Sequence, residues 1–107
     1  MRHIMVLNSK GGSGKSTIAT SLAAYYAGRG ESVALVDYDQ QASSLDWLAR
    51  RPENRPQITG VAGLEDGSKH LPRRADLAII EPKAGCYGKQ LTERVRFHRI
   101  WMIISVR

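Results

Sequence analysis

One stretch near the start of the chain decides its fold: Ser9-Lys10-Gly11-Gly12-Ser13-Gly14-Lys15-Ser16-Thr17. It follows a short apolar run at residues 3–8 and precedes a helical pattern that begins near Ser16. Glycines let the backbone turn tightly, so that successive N–H groups point at one anion, and the start of the helix adds partial positive charge. Strand, glycine-rich loop and helix in this order predict a phosphate-binding loop.

The side chains of this loop have distinct predicted tasks. Lys15 is placed to reach the β- and γ-phosphates of a nucleotide, and the hydroxyl of Ser16 is placed to bind Mg²⁺. The remaining members of the expected phosphate-binding set are Gly11, Gly12, Ser13, Gly14 and Thr17. The alternative is a glycine-rich turn that binds nothing, which the agreement of strand, loop, lysine and hydroxyls disfavours.

A second lysine distinguishes this loop from the general pattern G-x-x-x-x-G-K-[ST]. That pattern would place a glycine at Ser9, whereas here Lys10 precedes the glycine pair. The resulting K-G-G-x-G-K-[ST]-[ST] form resembles the deviant P-loop of the ParA/MinD family of ATPases. The resemblance implies that Lys10 reaches across an ATP-bound homodimer to the nucleotide of the other subunit, so that Lys10 and Lys15 both serve catalysis. The alternative for Lys10 is an exposed loop lysine.

Two acidic segments extend the resemblance. Asp37-Tyr38-Asp39-Gln40-Gln41 follows a predicted strand and resembles the family's D-x-D-P-Q segment, with Gln40 in place of proline. The match implies that Asp39 orients the attacking water and that Asp37 lies near the outer shell of the metal. The alternative for Asp39 is a cap of the following helix.

The second acidic segment, residues 76–81 followed by Pro82, resembles the family's Walker B run D-x-x-x-x-D-x-P. Here the last acidic residue is Glu81, and the proline comes one place early. Glutamate keeps the charge but adds a methylene, and a misplacement of ~1 Å in an active site can cost ~10²-fold in rate. We expect Glu81 to contact the metal through water.

The rest of the pattern predicts a single α/β domain over residues 1–107, with a P-loop NTPase-type parallel sheet of about four to five strands flanked by helices. We expect strands at 3–8, 32–37, 76–81 and 100–106, and helices at 16–28 and 88–97. Ser43 or Ser44 is expected to cap a helix that carries Trp47, and residues 57–75 to form a short strand and a weak helix. Tyr25 and Tyr26 are expected to pack on the sheet. Family members are longer, so we expect an amino-terminal portion or a truncated product.

Composition narrows the partners. The net charge of +6 favours acidic partners such as nucleotide, nucleic acid or anionic membrane. Arginines at 50–51, 73–74 and 94–99 predict either a DNA-contacting patch or solvated helix faces. Cys86 is the single cysteine, which excludes an intrachain disulfide and fits a reducing, cytoplasmic compartment. No stretch approaches the ~20 apolar residues that a transmembrane helix needs.

The leading functional hypothesis is a ParA-like MgATP-binding ATPase for plasmid or chromosome partitioning or cargo positioning. The resemblance implies ATP and Mg²⁺ as cofactors, an ATP-dependent homodimer, non-specific DNA binding and a ParB-like activating partner. One alternative is a truncated nucleotide-binding fragment without turnover. Another is a MinD-like cell-division ATPase, which would need an amphipathic membrane helix.

Overall fold

A computed structural model of the chain describes residues 2–8, 14–39, 41–63, 74–83, 86 and 88–106. The elements in these ranges are β1 (Arg2–Asn8), α1 (Lys15–Gly28), β2 (Val33–Asp37), α2 (Ser43–Ala49), β3 (Ile58–Ala62), β4 (Leu77–Glu81), α3 (Gly88–His98) and β5 (Met102–Val106). The strands pair in parallel as one five-stranded sheet in the order β3-β2-β4-β1-β5. The predicted parallel sheet flanked by helices is confirmed. None of the helices in these ranges combines the length and apolar character that a membrane crossing requires.

The two central strands β2 and β4 are buried at every position. Helices cover both faces of the sheet, so that continuous apolar runs, rather than alternating ones, are favoured there. The two strands pair from Val33 opposite Leu77 to Asp37 opposite Glu81. This register brings two acidic residues side by side at the carboxyl end of the sheet.

The strand side chains alternate between two packing layers. The layer under α1 and α2 contains Ile4, Val6, Ala19, Ala23, Ala27, Val33, Leu35, Leu77 and Ile79, with Leu48 of α2 packed against it. The layer under α3 contains Met5, Val36, Tyr38, Val61 and Ile80, with Leu91 and Val95 of α3 against it. By the same alternation Asp37 and Glu81 belong to the α1 side, whereas Tyr38 belongs to the α3 side.

Helix α1 packs closely on the sheet through small residues, and it ends at Gly28 as expected. Tyr26 is half-buried against the α1-side layer. Tyr25, by contrast, is 56% exposed, so the expectation that it packs on the sheet was wrong. The reason is helical spacing, since Tyr25 follows the exposed residues Thr17 and Ser21 at intervals of one turn on the outer side of the helix.

The start of α2 differs from the expectation. The N-cap is Ala42, with left-handed backbone angles (φ 51°, ψ 40°) and no side-chain cap. Ser43 is already the first helical residue, and Ser44 is fully buried, so neither serine caps this helix. In the segment 57–75 the expected short strand is β3, and the expected weak helix falls largely on residues 64–73, which lie outside the described residues.

Candidate functional site

The predicted site residues that the structure describes meet at the carboxyl ends of β2 and β4. The ammonium of Lys15, the first residue of α1, donates a hydrogen bond to the carbonyl oxygen of Pro82 at 2.6 Å. The same nitrogen lies 3.6 Å from Oδ2 of Asp39. Lys15 is only 5% exposed, so its charge sits inside the molecule between the segments that follow β2 and β4. The carboxyl ends of parallel strands are the usual place for a ligand crevice.

Helix α1 begins without a side-chain cap. Its N-cap is Gly14, whose φ of 90° is a left-handed conformation that glycine adopts without strain. The first helical bond runs from the N–H of Ile18 to the carbonyl of Gly14 at 3.0 Å. The N–H groups of Lys15, Ser16 and Thr17 therefore have no acceptor within the helix. Together with the helix dipole, these N–H groups make the beginning of α1 favourable for binding an anion such as phosphate.

Asp39 combines two interactions. Its Oδ1 accepts the N–H of Gln41 at 3.0 Å, which stabilises the turn before α2. Its Oδ2 is the oxygen that faces Lys15. The alternative that Asp39 caps the following helix is wrong, because the N-cap of α2 is Ala42 and has no side-chain cap. The contact with Lys15 places the Asp39 carboxylate beside the predicted phosphate site.

Asp37 lies behind Asp39 and is 3% exposed. Its Oδ1 accepts the N–H of Asp39 at 2.9 Å, and its Oδ2 has no hydrogen-bond partner among the described residues. Burial raises the pKa of Asp37, with the negative charge of Asp39 adding to the rise, while the N–H of Asp39 and the charge of Lys15 oppose it. The buried carboxylate keeps one oxygen free for a positively charged ligand.

Glu81 is fully buried at the end of β4, and neither of its carboxylate oxygens has a hydrogen-bond partner in the described part of the chain. Burial raises the pKa of this carboxyl group, and the neighbouring charge of Asp37 raises it further. The hydroxyls of Ser44 and Ser16 and the charge of Lys15 lower it.

Ser44 is a site residue that sequence reasoning missed. It is 0% exposed, and its Oγ has no partner among the described residues. Its backbone N–H lowers the pKa of Asp37, and its hydroxyl lowers the pKa of Glu81. We call Asp37, Ser44 and Glu81 the carboxylate cluster. The only local signal was a serine pair at the expected start of α2, and such a pair does not indicate which hydroxyl turns inward.

The carboxylate cluster fits a magnesium ion that also binds phosphate. Its buried oxygens without partners are Asp37 Oδ2, Ser44 Oγ, Glu81 Oε1 and Glu81 Oε2. Oxygen ligands suit Mg²⁺, which usually keeps several waters and binds through one or two carboxylates plus substrate phosphates. Within the described ranges, no group of three or more His, Cys, Asp and Glu residues is arranged to hold a metal by itself. The donor set therefore matches shared rather than all-protein coordination.

Part of the predicted site falls on residues that are not described. Lys10, Gly11, Gly12 and Ser13 lie outside the described residues, so their roles stay predictions. Of the loop residues that are described, Gly14, Lys15 and Ser16 lie at the site, and Thr17 occupies the exposed side of the first turn of α1.

Two of the basic groups, among the residues that the structure describes, lie on opposite sides of the sheet. Arg50 and Arg51 follow the end of α2, on the α1 side of the sheet, whereas Arg94, Arg96 and Arg99 belong to α3 and its end on the opposite side. Arg94 is also engaged, because its guanidinium lies 3.9 Å from the ring centre of Tyr38.

Comparisons with known proteins identify a family model and relatives that this chain resembles. Residues 4–98 match the sequence model of the CobQ/CobB/MinD/ParA nucleotide binding domain, CbiA. The chromosome-partitioning ATPase Soj of Thermus thermophilus is 38% identical over 84 residues, covering 72% of this chain and 34% of Soj. A putative replication protein A of Sinorhizobium fredii is 50% identical over 80 residues, covering 74% of this chain and 19% of that protein. The maintenance of carboxysome distribution protein A of Gloeobacter kilaueensis is 51% identical over 49 residues, covering 46% and 22%. The chain thus spans about a third or less of the length of these relatives.

A solved structure shares the fold. The nucleotide-binding protein of Archaeoglobus fulgidus, in complex with ADP, superposes with a TM-score of 0.74 and covers 98% of this chain and 53% of its own. The sequence identity is 23%, so the likeness shows the architecture alone.

Proposed function

Because this chain belongs to the CobQ/CobB/MinD/ParA nucleotide binding domain family, we propose that it is a ParA-like ATPase that binds MgATP and positions a plasmid, a chromosome or another cargo. Similarity to proteins named for chromosome partitioning and for carboxysome distribution supports this role. One observation carries the proposal: the buried ammonium of Lys15 lies between Asp39 and the carbonyl of Pro82 at the uncapped start of α1.

In this proposal residues 10–17 bind the triphosphate. The amides at the start of α1 donate to phosphate oxygens, and Lys15 exchanges its contact with Pro82 for the β- and γ-phosphates. Among the described residues the ammonium of Lys15 donates one hydrogen bond, to the carbonyl of Pro82 at 2.6 Å, and an ammonium group has three N–H donors, so further donors can serve an incoming anion. The sequence motif supports the same task for Lys10, Gly11, Gly12 and Ser13.

Hydrolysis requires a metal and an oriented water. Mg²⁺, when bound, neutralises charge on the β- and γ-phosphates. We assign Ser16, Asp37 and Glu81 to hold it, the two carboxylates through water, and the free oxygens of the carboxylate cluster support that assignment. Asp39 orients the attacking water, since it lies beside Lys15 and is 30% exposed, in contrast to the buried Asp37 and Glu81.

The partners follow from the family resemblance. Lys10 would reach the nucleotide of a second copy in an ATP-dependent homodimer, as the K-G-G-x-G-K form implies. The net charge of +6 supports non-specific DNA as the surface on which the dimer acts. A ParB-like protein would then stimulate hydrolysis.

A second candidate is nucleotide binding without turnover, and Glu81 favours it. The extra methylene and the complete burial of this side chain change the position of a carboxylate that the family's Walker B run supplies as aspartate. Because catalytic geometry is sensitive to shifts of ~1 Å, binding could persist while hydrolysis is lost.

Steady-state phosphate release with ATP and Mg²⁺, measured beside calorimetry with ATP and ADP, tests the proposal. We expect Lys15→Ala to reduce phosphate release by about 10²-fold or more, as is typical when a donor to developing charge is removed. Lys83→Ala is the matched control, because Lys83 is exposed directly after Pro82. Equal rates in the chain and in Lys15→Ala would exclude the enzyme, and nucleotide binding without release would establish the second candidate.

A further inference from the structure

Tyr38 occupies a position that the proposed mechanism does not use. It lies between Asp37 and Asp39, and its ring is packed in the α3-side layer with only 3% of the residue exposed. Its N–H donates to the carbonyl of Glu81 at 2.9 Å, which extends the pairing of β2 with β4 by one residue. The Tyr38 side chain thus lies on the α3 side of the sheet, while the carboxylates of Asp37 and Asp39 lie on the α1 side.

Helix α3 holds this side chain by two contacts. The hydroxyl of Tyr38 lies 2.8 Å from Nε2 of His98, the last residue of α3, and the guanidinium of Arg94 lies over the ring. His98 is 1% exposed, and its ring centre lies 5.8 Å from that of His3 on β1. We call His3, Tyr38 and His98 the histidine cluster. It connects α3 and β1 to the segment that carries the site aspartates.

Burial lowers the pKa of His98 to about 4, and the neighbouring His3 and Arg94 act in the same direction. The imidazole that binds the Tyr38 hydroxyl is therefore neutral at pH 7. This hydrogen bond is directional and adds no charge next to the aspartates.

The backbone after β2 transmits the position of Tyr38 to Asp39. The N–H of Asp39 is bound to Asp37, and the carbonyl of Asp39 accepts the N–H of Ala42 at 3.0 Å. These bonds tie Asp39 to Asp37 on one side and to Ala42 on the other, so that a rotation at Tyr38 would displace Asp39. Asp39 Oδ2 lies 3.6 Å from Lys15, so a shift of ~1 Å would change the geometry at the phosphate site.

We propose that Tyr38 and His98 are positioning residues: their buried hydrogen bond fixes the backbone of residues 37–39 so that Asp39 faces Lys15. The inference rests on the proposed function for its kinetic consequence. The competing explanation is that the contact between Tyr38 and His98 is a packing contact, which would stabilise the whole domain rather than the position of Asp39.

Tyr38→Phe separates these views, because it keeps the ring and its contact with Arg94 and removes only the hydroxyl. We expect kcat for ATP hydrolysis to fall about tenfold, on the scale that misplacement costs, while KM for ATP and the Kd for ADP change by less than about twofold. Tyr25→Phe is the matched control. Tyr25 is exposed, and its hydroxyl accepts a hydrogen bond from the guanidinium of Arg29. An unchanged kcat in Tyr38→Phe would overturn the proposal.

Two His98 variants sharpen the result. His98→Gln keeps an amide that can bind the Tyr38 hydroxyl, and His98→Leu does not. We expect His98→Gln to retain more of kcat than His98→Leu. Equal losses in both variants would indicate a packing role.

Hydrogen exchange decides the question even if the chain has no turnover. In Tyr38→Phe we expect the amides of Asp39 and Ala42 to exchange at least about tenfold faster, with β1 and β4 amides unchanged. Uniform acceleration or no local change would overturn the positioning role. If phosphate release by the unmodified chain equals that of Lys15→Ala, the proposed function is rejected. The exchange result then still tests the positioning role of Tyr38 by itself.

Discussion

The carboxylate cluster and the histidine cluster lie on opposite sides of the sheet at the carboxyl end of β2. They differ in how their buried polar atoms are hydrogen-bonded. Asp37, Ser44 and Glu81 bury four oxygens that have no partner among the described residues. In the histidine cluster Tyr38 and His98 bind each other at 2.8 Å, and the buried atoms without a partner in the described part of the chain are Nδ1 of His3 and Nδ1 of His98. Because buried polar groups in folded proteins are nearly always paired, the four oxygens gathered in the carboxylate cluster support the proposed cation site. The difference teaches that one side of β2 is arranged for binding and the other for holding the binding side in place.

The two clusters also shift their pKa values in opposite directions. Burial raises the pKa of Glu81 and lowers the pKa of His98, because in both cases it disfavours the charged form. A bound cation would oppose the rise in the pKa of Glu81. The low pKa of His98 keeps that imidazole neutral at pH 7. Three experiments can break or sharpen this comparison.

The largest effect is expected from Glu81→Leu. Loss of the carboxylate should reduce phosphate release by about 10²-fold or more, since a metal contact is removed. The same change should raise the free energy of unfolding by about 1–3 kcal/mol, because a buried group without partners is replaced by an apolar one. Phosphate release and urea denaturation at pH 7 measure the two effects.

A loss of stability in Glu81→Leu would contradict the comparison, since it would mean that the Glu81 oxygens are satisfied in the folded protein. Glu93→Leu is the control for a generic effect of removing a glutamate, because Glu93 is exposed on α3.

An intermediate effect is expected from pH acting on His98. Its pKa is about 4 in the folded protein and near 6.5 when unfolded, so the unfolded chain binds more protons in this window. The contribution of His98 to stability is therefore fully present above pH 6.5 and is lost as the pH falls towards 4. We expect the chain to lose stability relative to His98→Gln across this window, as measured by urea denaturation at pH 7 and pH 5. Parallel curves for the two proteins would show that His98 titrates normally.

The smallest effect is expected at the amino end of β4, where a carboxylate is paired. Oδ2 of Asp76 accepts the N–H of Ser32 at 2.9 Å. Asp76→Ala should lower the free energy of unfolding by about 1–2 kcal/mol through loss of this bond, and it should leave the calorimetric affinity for ADP unchanged. A weakened nucleotide affinity would show that the two ends of the strand are not independent.

The sequence was sufficient for the parallel sheet, and it named residues for the site whose roles stay predictions. Continuous apolar runs predict buried parallel strands, and the glycine-rich loop predicts the place of Lys15 and Ser16, because both signals are local. The carboxyl ends of β2 and β4 then bring Asp37 and Glu81 together through the strand register.

The remainder depends on contacts that no local pattern encodes. The bond between Tyr38 and His98 joins residues 60 positions apart, and a histidine at the end of a helix is more often exposed than buried. Ser44 turns inward because Ala42, in a left-handed conformation, starts the helix one residue earlier than a serine cap would. The role of Lys10 stays a prediction.

The register of β2 with β4 has a consequence for how this domain can vary. Because strand side chains alternate with a period of two, inserting or deleting one residue within β4 would turn Glu81 away from Asp37 and exchange the two packing layers along that strand. Composition can drift in these strands as long as it stays apolar, whereas their length cannot change. We therefore expect gains and losses of residues to be tolerated in the connecting loops and not within these two strands.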